Sequence, residues 1–301
     1  MTPAAGRRVK AVLDRLYGQY DEHPAATADP VHVARRFNDP ADREVVAFLA
    51  AALAFGRVQS VLNTIERLLA VLGPSPSGFV AAFDPGRDRA AFTPLVHRWT
   101  RGEDLAALVW ILRSFLERDG SIEGAFVAGH DPAAVDVAGA LDRFSARALA
   151  VDLRPVYGGS GRRAGVGFFF PRPSSGSGCK RLNLFLRWMV RRDGIDLGLW
   201  TRVPASQLVI PLDTHVIRVG QCLGLTRYRS PGWRMAADIT GSLRALDPAD
   251  PVKYDFAICH VGMRYMCGVK CRPRATSCPL RAFCRARPGT RPAWPRPSDR
   301  R

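Results

Sequence analysis

The sequence contains no stretch of about 18 consecutive apolar residues, so nothing in it reads as a membrane-spanning helix. Residues 1–17 carry Arg7, Arg8, Lys10, Asp14 and Arg15 without an apolar run of signal-peptide length, which points to a cytoplasmic protein. Acidic residues are scarce, with 27 Asp and Glu against 44 Lys and Arg, a net charge of +17. A polyanion partner is the simplest account of that imbalance, because each phosphate neutralised by Lys or Arg releases condensed counterions, and free use of Arg by a GC-rich genome is the other. The basic excess is spread along the chain and is not confined to its end. Convincing alternation of apolar and polar residues is also lacking, which removes β-sandwiches and barrels from consideration.

Helical patterns are present instead. The run Asp39 to Gly56 opens with acidic residues, is apolar on all faces and stops at glycine, the signature of a buried helix. Val61, Ile65, Leu68, Leu69 and Leu72 recur at one-turn spacing before Gly73-Pro74. Further helical patterns cover Leu105 to Leu116 and Val135 to Leu149. Composition changes from Pro155 to Gly178, a loop region rich in Gly, Ser, Phe and Pro. A helix then starts near Cys179, with a stripe of Leu182, Phe185, Leu186, Met189 and Val190 and a stop at Gly194. Another opens at Asp213, an N-cap, and continues through Val216, Val219 and Leu223. An all-α architecture is expected, with residues 285–301 as a disordered basic tail.

Three constellations carry chemistry. Gly176-Ser177-Gly178 leads into a helix at Lys180-Arg181, where small residues let backbone N–H groups approach a phosphate at the positive end of the helix dipole. Taken alone this is also the composition of an ordinary linker. A lysine attacks carbon only when neutral, so Lys180 needs desolvation or neighbouring positive charge to react near neutral pH. Asp213, followed by Thr214 and His215, is by default a helix cap, but the same geometry holds an ionised carboxylate in place for a developing positive charge. Cys267, Cys271, Cys278 and Cys284 cluster near the end of the chain. In a reducing compartment this suggests a metal or iron–sulfur site and not disulfides. Arg264, Lys270, Arg272 and Arg274 surround this loop and read either as contacts to a phosphate backbone or as a solvated basic face.

The runs GSGCKRLNLFL and PLDTHVIRVGQCLGL resemble, in the same order, the hairpin with its following helix and the downstream aspartate segment of the helix-hairpin-helix DNA glycosylase superfamily, typified by endonuclease III and adenine glycosylases. The segments KRLNLFLRWMVRRDGIDLGLW and DPVKYDFAICHVG also resemble an uncharacterised bacterial family. The superfamily resemblance implies a two-domain fold. One domain combines residues 1–40 with 197–301, and a six-helix domain covers 41–196. It further implies base-excision repair with AP lyase activity, in which Lys180 attacks the sugar C1′ of a damaged nucleotide and Asp213 supports bond cleavage and proton transfer. The implied partner is double-stranded DNA holding a damaged base or abasic site, bound by a nucleoid-associated monomer. Gly176, Ser177, Gly178, Arg181, His215, Arg57 and Gln59 are the implied DNA contacts. Loops at Phe55 to Gln59 and His260 to Tyr265 are the implied walls of the base pocket. The end of the cysteine loop, CPLRAFC, is similar to the close of the superfamily's [4Fe–4S] loop, although the second cysteine is displaced. Structural zinc, or no metal, is the alternative. The interval from Lys180 to Asp213 exceeds that of endonuclease III and resembles that of archaeal 8-oxoguanine glycosylases, which hints at an oxidised purine. Other readings keep the fold: a monofunctional glycosylase in which Asp213 activates water, or a non-catalytic DNA-damage-binding protein.

Overall fold

Residues 3–21, 29–159, 165–265 and 277–284 are described by a computed structural model. The expected cysteines at 267 and 271, the basic residues at 270, 272 and 274 and the tail at 285–301 lie outside these residues. Among the described residues the chain is mostly helical, with one two-stranded hairpin as its sheet. No helix among them is long and apolar enough to cross a membrane.

Helix α1 (Pro3–Asp21) turns Val9, Leu13 and Leu16 inward, and α2 (Val31–Arg35) follows at Pro30. Helix α3 (Pro40–Leu53) starts where the Asp39 carboxylate accepts the Ala41 amide and Pro40 presets the first turn. Every residue from Val45 to Leu53 is buried, so α3 is the centre of the core, packed against α2, α4 (Val58–Leu72), α5 (Pro76–Ala82) and α11 (Lys180–Val190). Phe48 on α3 meets Phe144, Phe170 and Phe185 at 4.9–6.2 Å between ring centroids. Truncating a ring so placed costs about 3–5 kcal/mol.

After α6 (Pro85–Phe92), strands β1 (Val96–His97) and β2 (Thr100–Arg101) pair antiparallel and feed α7 (Gly102–Asp119). Gly102 is obligatory there, since a Cβ would lie 1.9 Å from the Phe92 carbonyl oxygen. Helices α8 (Ile122–Val127), α9 (Ala138–Leu149) and α10 (Arg154–Tyr157) complete this part. The α9 pattern begins three residues later than its periodicity suggests, because the Asp136 carboxylate takes the Ala138 amide and fixes a turn.

Helix α11 also ends earlier than the expected stop at Gly194, with Arg191 already extended. The reason is electrostatic. Arg187 and Arg191 are buried and meet four carboxylates. Arg187 pairs with Asp196 (3.0 Å) and Asp255, and Arg191 pairs with Asp193 (2.8 Å), Asp250 (2.8 Å) and Asp196. Removing one partner of such a network costs about 3–5 kcal/mol, because the other charge is left buried. The network joins α11 to α14 (Asp255–Tyr265), which follows α12 (Thr214–Leu223) and α13 (Trp233–Arg244). Helix α1 closes on α14: Tyr254 donates to Asp14 (2.6 Å), and Lys10 and Lys253 also reach that carboxylate.

Candidate functional site

A cleft of about 400 Å³ opens where α2, the α3–α4 turn, α11, the start of α12 and α14 converge. That size suits a small-molecule group or a single base. Its walls include Asp29, Gly56, Val58, Lys180, Leu184, Asp213, Cys259, His260 and Met263, and Arg187 and Asp255 stand at its floor. Lys180 and Asp213 therefore face one space.

Lys180 is the first residue of α11. The preceding Cys179 sits at φ 46°, a left-handed conformation that side chains other than those of Gly and Asn rarely adopt, and no side chain caps the helix. The Nζ of Lys180 donates to the Ala54 carbonyl at 3.2 Å, which brings the lysine to the α3–α4 turn. Asp213 caps α12, its Oδ1 accepting the Val216 amide at 2.7 Å. Its Oδ2 accepts from the thiol of Cys259 at 3.1 Å. Gly262 makes this possible. A Cβ there would lie 2.8 Å from the His215 Cβ, so only glycine lets α14 cross α12 closely enough to set Cys259, one turn earlier, beneath Asp213.

Burial, followed by the charges of Asp213 and Asp255, pushes the Cys259 thiol above its ordinary range, so it stays a donor. Burial likewise raises the Asp255 carboxyl to about 6, with Asp213 adding to the shift and Arg187 opposing it. For Arg187 the neighbouring carboxylates outweigh burial and hold the guanidinium charged. At neutral pH the floor of the cleft is thus an ion pair.

The turn before α11 is anchored, not free. The Gly176 carbonyl accepts the Trp233 amide at 3.0 Å, and a Cβ on Gly178 would touch the Leu212 side chain at 3.4 Å. Ser177 accepts the Cys179 amide through its Oγ at 3.2 Å. Gly176 is exposed, while Ser177 and Gly178 are half-buried. Arg57 and Gln59 are exposed at the start of α4, where Gln59 donates to Asn63. His215 lies against Gly262 with a buried Nδ1 that meets no partner among the described residues.

Arg181, expected on the nucleic-acid face, points the other way. It is 8 % exposed, donates to the carbonyls of Ala52 (2.9 Å) and Phe168, and stacks 3.6 Å from the Phe168 ring centroid. Burial lowers its pKa to about 10. Position 181 is one residue past the helix start, and at 100° per residue it faces the core when Lys180 faces the cleft. Arg181 is a tie between α11, α3 and the loop at 168, and not a phosphate contact.

The cysteine reading also changes. Cys284 is joined in a disulfide to Cys222, a residue of α12 outside the expected set. Among the described residues no three metal-ligating side chains converge. With Cys284 held in that disulfide, a thiolate site at this loop needs the bond to Cys222 reduced.

Cys259, Asp255, Asp29 and Arg187 were not singled out from the sequence. Cys259 and Asp255 lie inside DPVKYDFAICHVG, so their proximity to the other motifs was detectable only as a shared resemblance. Arg187 reads locally as one of several basic residues ending an amphipathic helix.

A family model described as a protein of unknown function (DUF2400) matches residues 29–264. The chain belongs to that family. The match contains every described wall of the cleft, from Asp29 to Met263. No curated protein and no solved structure matches the chain significantly.

Proposed function

We propose that this protein is a DNA base-excision glycosylase with AP lyase activity, of the helix-hairpin-helix kind, with the chain ends combining into one domain. The observation that carries the reading is the opening of Lys180 and Asp213, from separate motifs, onto one cleft of nucleobase size. Damaged nucleotides leave the stack most readily because they pair badly, and flipping one costs a few kcal/mol. With the base in the cleft, neutral Lys180 Nζ forms a bond to C1′ as the C1′–N bond to the base breaks. The electron pair departs with the base, which takes up a proton. Asp213, pinned by the Val216 amide and the Cys259 thiol, stabilises positive charge at the sugar and accepts a proton from Nζ. Opening of the sugar ring gives an imine between Nζ and C1′. Loss of a C2′ proton then expels the 3′ phosphate and nicks the strand.

The net charge of +17 supplies non-specific attraction to the DNA backbone. In this reading Gly176, Ser177, Gly178, His215, Arg57 and Gln59 contact DNA, and the cysteine loop takes up a [4Fe–4S] cluster or zinc once the Cys222–Cys284 bond is reduced, checked by iron and zinc analysis of protein purified under reducing conditions.

The test is strand cleavage on duplexes carrying an abasic site, 8-oxoguanine, an oxidised pyrimidine, uracil or an alkylated base. Nicking of the abasic duplex together with at least one lesion duplex is expected. Excision without nicking would favour water activated by Asp213. Lesion affinity with no product on any duplex would favour a damage-binding protein.

A further inference from the structure

Five large hydrophobic residues are exposed among those described, and they are not scattered evenly. Val58 and Met263 line the cleft, Val96 and Trp99 lie on the β1–β2 hairpin, and Val135 stands apart. The hairpin tip is the two-residue turn Arg98-Trp99. Trp99 is 54 % exposed and backed by Phe55, whose ring lies near-parallel to it at 5.0 Å, and by the edge contact with Phe168 at 5.2 Å. Arg98 lies 5.2 Å from the Trp99 ring centroid and against Gly56, a wall of the cleft, where an added Cβ would meet its Cδ at 3.2 Å. The tip is thus beside the cleft mouth.

Two further observations argue that this is a built surface. Arg98 holds φ 55°, a left-handed position that Asn or Gly would fill with less strain. The hairpin beneath is rigidly held: buried His97 uses both ring nitrogens, on Thr64 (3.0 Å) and on the Phe55 carbonyl (2.9 Å), and Asp104 takes the Arg101 amide. Exposed Arg57, Arg98 and Arg101 have no carboxylate within ion-pair distance among the described residues. A flat, supported aromatic ring with the Arg98 guanidinium beside it, and Arg57 and Arg101 exposed close by in the chain, matches an unpaired base and its neighbouring phosphates.

We propose that Trp99, with Arg98, is a stacking platform for an unpaired nucleobase of a nucleic-acid strand running past the cleft. Stacking is tolerant of sequence and needs no lesion, so this binding is independent of the chemistry assigned to Lys180. It therefore survives failure of the lyase reading, and fails separately from it.

The experiment measures affinity of the full chain for a fluorescein-labelled, lesion-free oligo(dT) by anisotropy at fixed salt. Trp99→Ala is expected to weaken binding by about 5- to 150-fold, the range for loss of one base–aromatic stack. Trp99→Phe should stay within a few-fold of wild type, Trp99→Leu should resemble the alanine variant, and Val135→Ala should bind as wild type. Unchanged affinity in Trp99→Ala, wild-type affinity in Trp99→Leu, or no binding of oligo(dT) by wild type would each overturn the proposal. Imine trapping on an abasic duplex in the same preparations shows separately whether the lyase reading stands.

Discussion

The two helices that deliver Lys180 and Asp213 to the cleft begin in opposite ways. Helix α12 starts at a carboxylate that caps it, so under the proposed function one side chain serves both stability and chemistry. Helix α11 starts at a left-handed cysteine with no cap and two basic residues at the positive end of its dipole. Its start is held from outside instead, by Arg181 on the carbonyls of Ala52 and Phe168 and by the Trp233 amide on Gly176. The Cys179 side chain at the N-cap accepts no backbone amide, so the start of α11 depends on tertiary ties.

Breaking those ties should have the largest effect. Arg181→Ala removes two charge-assisted hydrogen bonds and the stacking on Phe168, and is expected to lower unfolding free energy by about 3 kcal/mol in urea titrations. A loss below about 1 kcal/mol would mean that the uncapped start of α11 stands unaided. At Asp213 the two roles can be separated. Asparagine caps as well as aspartate, so Asp213→Asn should keep stability while strand nicking falls by about 100-fold or more. Asp213→Ala should lose the same activity and about 1 kcal/mol of stability besides. Cys259→Ala deletes the thiol bond to Asp213 Oδ2 and should slow nicking by about 3- to 10-fold, with much of the loss recovered in Cys259→Ser.

The smallest effect concerns the wall behind both helices. Asp14 ties α1 to the residues leading into α14, and hydrogen bonds from Lys10, Tyr254 and Lys253 outweigh burial to lower its carboxyl to about 2. Because the folded value lies below the unfolded one near 3.8, Asp14 stabilises above that pH and loses its contribution as pH falls toward about 2. Asp14→Asn should therefore be less stable than wild type at about pH 5, with the gap closing near pH 2.5. Urea midpoints at the two pH values measure it.

The parts legible in the sequence are those fixed by neighbours in the chain. Asp39 with Pro40, the stripe ending at Gly73 and the cap at Asp213 each state a helix boundary within a few residues. The hairpin at 96–101 was not legible, because Arg98-Trp99 has none of the usual turn chemistry. The burial of Arg181 is not announced locally because its acceptors are remote in sequence, nor is the pairing of Cys284 with Cys222, 62 positions away. Convergence of Lys180 with Asp213 was reachable only through the paired motifs. Their third neighbour, Cys259, depends on the close crossing at Gly262, which no local pattern announces.

Borohydride reduction of the protein mixed with abasic-site duplex, read as a covalent protein–DNA band, probes the Lys180 nucleophile itself. Wild type should give a band and Lys180→Ala should lose it, while Asp213→Asn, which keeps the nucleophile, still forms it. No band with wild type, or an undiminished band with Lys180→Ala, would contradict that role for Lys180.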